Sequence, residues 1–127
     1  MTWLIWLFLG ASVLLLGLAV PLIRGWVKPN PWYGLRVPLT LDNPDIWYPA
    51  NRYAGWLLLV YGLAIVLASF GLYFLVRGLE DEAAKDAYGL AFAGLLMAGV
   101  GLLLILSVRY AHRLAKRQSG DDSPRGT

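Results

Sequence analysis

The chain has 127 residues, of which 58% are hydrophobic and only 15% are charged, and its mean hydropathy is +0.57. About a quarter of the residues in an ordinary soluble domain are charged, so this composition excludes most soluble classes and indicates a membrane protein. The net charge is +3, and the absence of cysteine excludes a disulfide framework and thiolate chemistry.

The first predicted element is an uncharged, strongly apolar segment, residues 3–23. At about 1.5 Å per residue, a helix of this length crosses a hydrocarbon core of roughly 30 Å. A secretory signal peptide is the alternative. However, no basic residue precedes Arg24, the apolar run exceeds a typical signal-peptide core, and no small-x-small cleavage site follows. We therefore expect a retained transmembrane helix.

The segment that follows, residues 29–52, holds five of the seven prolines of the chain. Two closely spaced prolines at its start predict an extended entry. Asn43 followed by Pro44 predicts the N-cap and the first position of a helix, with Asp45 in its first turn. The segment is therefore predicted to be a structured loop rather than a spacer.

The helix predicted to start at Pro44 continues toward the membrane. Trp47 and Asn51 are four residues apart and would share one helical face, which Gly55 extends. Pro49 lies between them and cannot donate a hydrogen bond to the preceding turn. We therefore expect a kink, or a restart of the helix, at Pro49.

Two further uncharged segments, residues 53–76 and 87–108, also exceed the roughly 18 residues that mark a spanning helix. Three such segments leave almost no polar chain to cover them, which disfavours long core helices of a soluble protein. We predict an all-α membrane protein with three transmembrane helices and a structured loop between helices 1 and 2. Residues 1–112 are predicted as the membrane domain, and residues 113–127 as a basic, then disordered, cytoplasmic tail.

Lys and Arg residues are distributed unevenly between the two sides of the predicted membrane. Nine lie in the first loop and after the third segment, whereas two lie in the second loop, beside four acidic residues. Because basic residues accumulate on the cytoplasmic side, we predict the N-terminus outside and the first loop and C-terminus in the cytoplasm. Nucleic-acid binding is the disfavoured alternative, since a short basic fringe beside a membrane usually marks topology.

Small residues recur at helical spacing in each predicted span, which is typical of faces where helices pack closely in lipid. Whether such a face meets a helix of the same chain or of a second copy stays open at this level, so a homo-oligomer is one predicted outcome. The recurring residues are Gly10 and Gly17 in the first span, Gly55, Gly62 and Ser69 in the second, and Ala87, Ala91, Gly94, Ala98 and Gly101 in the third.

Ionisable residues are absent from the predicted spans, which disfavours a proton-coupled transporter formed by this chain alone. The one histidine, His112, lies among basic residues after the third span, and Asp42 and Asp45 fit turn and cap positions. Paired carboxylates, zinc-ligand spacings and nucleophile motifs are also absent. We predict that the protein is not an enzyme and binds no cofactor or metal.

Polar and aromatic residues in the loop follow a spaced pattern between positions 30 and 52. This spacing, with three predicted spans around it, resembles the SdpI/YfhL family of small bacterial integral membrane proteins, and the resemblance extends over residues 1–112. The pattern is Asn30-x-x-Tyr33-Gly34-x-Arg36-x-Pro38-x-Thr40-Leu41-x-Asn43-x-x-x-Trp47-x-x-x-Asn51-Arg52.

The resemblance carries functional implications. The founding member of the family is an immunity protein against a secreted killing peptide, and it also sequesters a transcriptional repressor at the membrane. The resemblance therefore implies resistance to a membrane-active peptide toxin in the cytoplasmic membrane of a bacterium. Two alternatives stay open: a scaffold that captures a soluble regulator through the loop and tail, and a structural subunit of a membrane assembly.

Ten motif residues are the candidate binding residues, and their types allow two interpretations. Arg36 fits bidentate binding of a carboxylate or a lipid phosphate, and the asparagines offer paired donors and acceptors. Anchoring at the membrane interface explains the same residue types equally well. The ten are Asn30, Tyr33, Gly34, Arg36, Pro38, Thr40, Asn43, Trp47, Asn51 and Arg52.

Overall fold

Four helices make up most of the part of the chain that the computed structural model describes, residues 2–121. They are α1 (Thr2–Arg24), the short α2 (Pro38–Leu41), α3 (Pro44–Arg77) and α4 (Glu82–Asp121). Within these residues there is no strand, and α1, α3 and α4 are each long and apolar enough to cross a membrane. The predicted all-α membrane fold with three spanning helices is confirmed.

The three long helices alternate in direction, with α3 between α1 and α4 and in contact with both. We call the end of the bundle that holds residues 25–43 the loop end. We call the opposite end, which holds residues 78–81 and the start of α1, the turn end. At the turn end the rings of Phe8 and Phe92 meet edge to face, with centroids 4.9 Å apart, so α1 and α4 touch there.

A glycine ends α1. Gly25 has a φ of 70°, a left-handed conformation that glycine adopts without a steric penalty. In this arrangement the amide of Trp26 donates to the carbonyl of Pro21 at 3.0 Å, and that of Gly25 donates to Leu22 at 3.3 Å. The last carbonyls of the helix are thereby satisfied as in a glycine C-cap, and the chain turns sharply into the loop.

The predicted start of α3 is confirmed. The side chain of Asn43 accepts a hydrogen bond from the Asp45 amide at 3.0 Å, and Pro44 occupies the first helical position. The helix then runs unbroken through Pro49 to Arg77. The predicted alternative of a restart at Pro49 is therefore wrong.

Small residues on α3 let α1 approach closely, as predicted, and the partner is a helix of the same chain. Gly55, Gly62 and Ser69 are all buried. A Cβ built on Gly55 would lie 2.9 Å from Cγ1 of Ile23 and 3.1 Å from the backbone oxygen of Ala19. The backbones of α1 and α3 therefore cross at Gly55 with no room for a methyl group.

Substituting alanine for Gly55 should destabilise the α1–α3 contact by about 1–3 kcal/mol, because the backbone of α1 must move. Gly71 is the matched control on the same helix, since a Cβ there meets nothing within 4 Å. Gly71→Ala should be neutral or stabilise the helix by up to about 1 kcal/mol. Equilibrium unfolding in detergent micelles measures both, and equal effects at the two positions would contradict the close crossing.

The small-residue stripe on α4 has a different environment. Its five members are all exposed, and a Cβ on Gly94 or Gly101 would meet nothing within 4 Å. The packing face of α4 instead carries Phe92, Leu96 and Gly99, and Gly99 lies against the Tyr61 ring. The stripe therefore does not pack within this chain, and its contact with a second copy stays a prediction.

The loop end of α4 folds onto the rest of the molecule. Ala111 is fully buried beside Ile46 and Leu35, and Nδ2 of Asn43 donates to Oε1 of Gln118 at 3.1 Å. α4 runs without interruption past residue 112, where the sequence placed a domain boundary. That boundary stays a prediction, and residues 122–127, with their predicted disorder, lie outside the described part.

Candidate functional site

Asn51 is the centre of the folded loop. Its side chain is only 2% exposed. Its Oδ1 accepts a hydrogen bond from the Leu35 amide at 2.6 Å, and its Nδ2 donates to the Trp47 carbonyl at 3.0 Å. A buried amide without a partner costs roughly 1–3 kcal/mol. Asn51 therefore ties the middle of the loop to the first turns of α3.

Gly34 allows this contact. Its φ of 103° lies in the region that side chains rarely adopt, and a Cβ built on it would lie 2.5 Å from Oδ1 of Asn51. Any other residue at this position would collide with the side chain that holds Leu35. The buried Asn51 side chain can therefore bond to Leu35 only if residue 34 is a glycine with this backbone conformation.

Thr40 closes the next turn of the loop. Its buried hydroxyl donates to the Leu35 carbonyl at 2.6 Å and accepts from the Val37 amide at 3.2 Å. Pro38 supplies the first residue of α2, where its missing N–H leaves no donor unsatisfied. Both polar groups of the Leu35 backbone are thus bonded to motif side chains, one from Thr40 and one from Asn51.

Trp47 faces the interior of the molecule rather than lipid. Its side chain is fully buried, and Nε1 donates to the carbonyl of Val27 at 2.8 Å. The predicted sharing of one helical face by Trp47, Asn51 and Gly55 is confirmed, because all three are buried. The interpretation of Trp47 as an anchor at the membrane surface does not fit this position.

Asn30 and Tyr33 shape the start of the loop. Oδ1 of Asn30 accepts from the amides of Trp32 and Tyr33 at 2.9 and 2.8 Å, and Nδ2 donates to the carbonyl of Lys28 at 2.7 Å. The hydroxyl of Tyr33 donates to the carbonyl of Leu18 on α1. Burial raises the pKa of this hydroxyl, which keeps it protonated and a donor at neutral pH.

The two motif arginines donate to backbone carbonyls but remain exposed. A terminal nitrogen of Arg36 donates to the carbonyl of Pro31 within the loop. Nε of Arg52 donates to the carbonyl of Ile23 at 3.1 Å, in the last turn of α1. Within residues 3–120, the one ion pair joins Lys85 to Glu82, so neither guanidinium is neutralised by a carboxylate there.

A cleft of about 280 Å³ opens beneath the loop, between α1 and α4. Tyr33, Gly34 and Leu35 form its roof, α3 contributes Tyr61, and α4 contributes Ser107 together with apolar side chains. The hydroxyls of Tyr61 and Ser107 donate to carbonyls of α4, so the lining presents mainly apolar surface. The motif residues therefore build the roof of an apolar cleft that lies within the membrane-spanning part.

A model of the SdpI/YfhL protein family matches residues 26–111. The chain belongs to this family. The match begins at the loop, includes all of α2 and α3, and extends along α4 to Ala111 in the packed loop end. No curated protein and no solved structure matches the chain.

In this SdpI/YfhL protein the motif is brought together in one folded unit. The side chains of Asn30, Thr40, Trp47 and Asn51 all form hydrogen bonds with backbone groups of this chain, and Gly34 leaves room for the amide oxygen of Asn51. Arg36 and Arg52 keep guanidinium groups at the surface. A binding role for the ten motif residues stays a prediction, whereas their part in folding the loop is directly visible.

Sequence reasoning missed the residues of the cleft wall. Val100, Leu103 and Leu104 belong to an uninterrupted apolar run, in which nothing separates a cleft wall from a lipid-facing surface. Tyr61 offers the one available signal. It is a tyrosine in the interior of an apolar run rather than at its end, and such a residue needs a hydrogen-bond partner inside the bundle.

Proposed function

We propose that this SdpI/YfhL protein protects a bacterial cytoplasmic membrane against a membrane-active peptide, and does so by binding rather than by enzymatic catalysis. Membership of the family over residues 26–111 carries the proposal. The excess of Lys and Arg near the loop end further supports a cytoplasmic loop and C-terminus, with the N-terminus outside.

The cleft supports the proposal as the place where an apolar part of the peptide binds. Its 280 Å³ is about twice the volume of an engineered cavity that holds benzene, roughly 150 Å³. It has room for about two large apolar side chains of a peptide that enters from the bilayer. The folded loop contributes Tyr33, Gly34 and Leu35 to the lining of this cleft.

Filling the mouth of the cleft should abolish protection. Leu104 lines the cleft and is 57% exposed, whereas Leu102 does not line it and is 56% exposed. Leu104→Trp places a large ring in the mouth, and Leu102→Trp places the same ring in lipid at nearly the same depth. We expect survival of sensitive cells exposed to secreted membrane-active peptides to fall at least about tenfold for Leu104→Trp and to stay at the wild-type level for Leu102→Trp.

Survival is measured at equal amounts of each variant in the membrane, with depolarisation of the cells as a second readout. Equal protection by both variants would contradict binding in the cleft. No protection by wild-type protein against any peptide that kills the parent strain would contradict the protective function itself.

One observation favours a second function, the capture of a soluble regulator. Arg113, Lys116 and Arg117 lie exposed on the folded end of α4, where they form a basic surface beyond the apolar run. The capture function is tested by asking whether a soluble protein co-purifies with wild type and is lost from the double variant Arg113→Ala/Arg117→Ala. Retention of the soluble protein by that variant would reject α4 as the capture surface.

A further inference from the structure

A second cavity, of about 320 Å³, lies between α3 and α4 on the loop side of the bundle. Unlike the cleft, it is lined mainly by polar and aromatic side chains, together with one proline: Tyr48, Pro49, Arg52, Tyr53 and Trp56 of α3 and Tyr110 of α4. The α3 residues recur at spacings of three and four positions, so they form one continuous helical face. The cavity therefore has one cationic group and four aromatic rings.

The guanidinium of Arg52 is positioned for a further ligand. Nε donates to the carbonyl of Ile23 at 3.1 Å, which fixes the side chain against the end of α1. This bond leaves the two terminal nitrogens available, and no carboxylate among residues 3–120 pairs with them. A planar guanidinium with free terminal N–H groups matches the oxygens of a phosphate.

The tyrosines of this cavity contribute a stacked pair of rings to its lining and further hydrogen-bond donors. The rings of Tyr53 and Tyr110 stack with centroids 4.2 Å apart and planes 12° apart, which joins α3 to α4 at this level. The hydroxyls of Tyr33 and Tyr61 donate to backbone carbonyls. Those of Tyr48, Tyr53 and Tyr110 have no such partner in the described part of the chain, and so remain available to an acceptor.

The depth of the cavity identifies the source of the acceptor. Arg52 is the last charged residue before the uncharged run 53–76, and Arg109, beside Tyr110, is the first after the uncharged run 87–108. Both helices thus place the cavity where the hydrocarbon core gives way to headgroups. Trp56, one turn deeper and half exposed, suits the glycerol and the first methylenes of a lipid.

The charge around the cavity selects the class of lipid. No acidic residue lines it; on α4, Arg109 directly precedes the lining residue Tyr110, and Arg113 and Arg117 follow it. Asp45 is the nearest acidic residue along the α3 face, two turns from Arg52 on the water side. The positive group of a zwitterionic headgroup would be repelled by Arg52. A headgroup with a net negative charge is attracted by Arg52 and by the arginines of α4.

We propose that this cavity binds the phosphate of one anionic phospholipid, with Arg52 and the hydroxyls of Tyr48 and Tyr110 as donors and Trp56 against the glycerol. The site does not depend on the protective function proposed above, because it lies between different helix faces from the cleft. It gives the bundle a fixed lipid contact that joins α3 to α4.

The test uses full-length protein in a mild detergent, titrated with phosphatidylglycerol or phosphatidylcholine, with bound lipid counted by native mass spectrometry. Wild type should bind one phosphatidylglycerol at least about tenfold more tightly than phosphatidylcholine. Arg52→Gln should lower that affinity at least about tenfold. Arg77→Gln removes the same charge from the turn end of α3, 25 residues from Arg52, and should change it by less than about twofold.

A second variant separates binding from folding. Tyr48→Phe/Tyr110→Phe keeps all rings and the stack but removes two donors, and should weaken phosphatidylglycerol binding about tenfold with an unchanged melting temperature. Equal binding of the two lipids, wild-type affinity in this variant, or equal losses in Arg52→Gln and Arg77→Gln would overturn the proposal. Displacement of the lipid by millimolar glycerol phosphate would assign the site to a soluble phosphate, which overturns the lipid source.

Discussion

Asn51→Ala is expected to lower the free energy of unfolding by about 3 kcal/mol. The substitution removes the only side-chain oxygen bonded to the Leu35 amide, at 2.6 Å, and the donor to the Trp47 carbonyl, at 3.0 Å. Asn51 is 2% exposed, so little water is available to replace either bond. Equilibrium unfolding of the purified protein in detergent micelles, followed by circular dichroism, measures the loss.

Asn30→Ala is the matched control, because Asn30 belongs to the same motif and also bonds to the loop backbone. Its contacts with Lys28 and Trp32 are exposed to solvent, and its contact with the Tyr33 amide is only partly buried. Water can replace them, so the expected loss is below about 1 kcal/mol. A loss for Asn51→Ala as small as that for Asn30→Ala would show that the Asn51 side chain does not hold the loop.

Gly34→Ala is expected to cost at least about 2 kcal/mol in the same unfolding experiment. A φ of 103° strains any residue with a side chain, by about 1–3 kcal/mol. In addition, the new Cβ would lie 2.5 Å from Oδ1 of Asn51 and would displace it from the Leu35 amide. The cost therefore combines backbone strain with loss of a buried hydrogen bond.

Gly25→Ala separates these two contributions. Gly25 also has a positive φ, of 70°, but a Cβ there comes no closer than 3.7 Å to any other group, the end of the Arg52 side chain. Only backbone strain is added, at about 1 kcal/mol. If Gly25→Ala and Gly34→Ala cost the same, the collision with Asn51 plays no part.

Local signals in the sequence were sufficient for the three spans and for the start of α3. The uncharged runs predict the three spans, and Asn43 with Pro44 predicts the first turn of α3, because an N-cap acts on amides two or three residues away. The common face of Trp47 and Asn51 follows from helical spacing alone. These features depend only on neighbours along the chain.

The loop contacts depend on residues far apart along the chain, so the sequence could not predict them. Asn51 bonds to an amide 16 residues earlier, and Trp47 to a carbonyl 20 residues earlier. α2 is only four residues long and rests on the contact of Thr40 with Leu35, a kind of contact that no periodicity reveals. The sequence therefore predicted the motif but not that Thr40, Trp47 and Asn51 within it are buried.

Small-residue packing faces were predicted on every span, but the face on α3 packs within the chain and the face on α4 does not. Gly55 and Gly62 of α3 do pack on α1, whereas Gly94 and Gly101 of α4 are exposed. In a membrane both faces of a helix are apolar, so small residues permit a close contact without requiring one. Only a polar group that needs a partner, such as the Tyr61 hydroxyl, distinguishes the two faces of such a helix.

Because Thr40, Trp47 and Asn51 of the motif are buried, the parts of the molecule expected to bind a ligand are the cleft and the exposed basic groups. The loop holds α1 and α3 together and roofs the cleft, whereas the exposed chemistry lies at Arg36, Arg52 and the basic end of α4. Substitutions of buried motif residues should therefore reduce function through loss of folded protein. Substitutions in the cleft should reduce it with the fold intact.

A double-mutant cycle between Gly34 and Asn51 tests most directly whether the motif acts as one folded unit. In Asn51→Ala the Oδ1 atom that meets the new Cβ is gone, so Gly34→Ala should cost at least about 1 kcal/mol less than it costs in wild type. This coupling is the result expected if the buried asparagine and the glycine require each other. Equal costs of Gly34→Ala in the two backgrounds would contradict it.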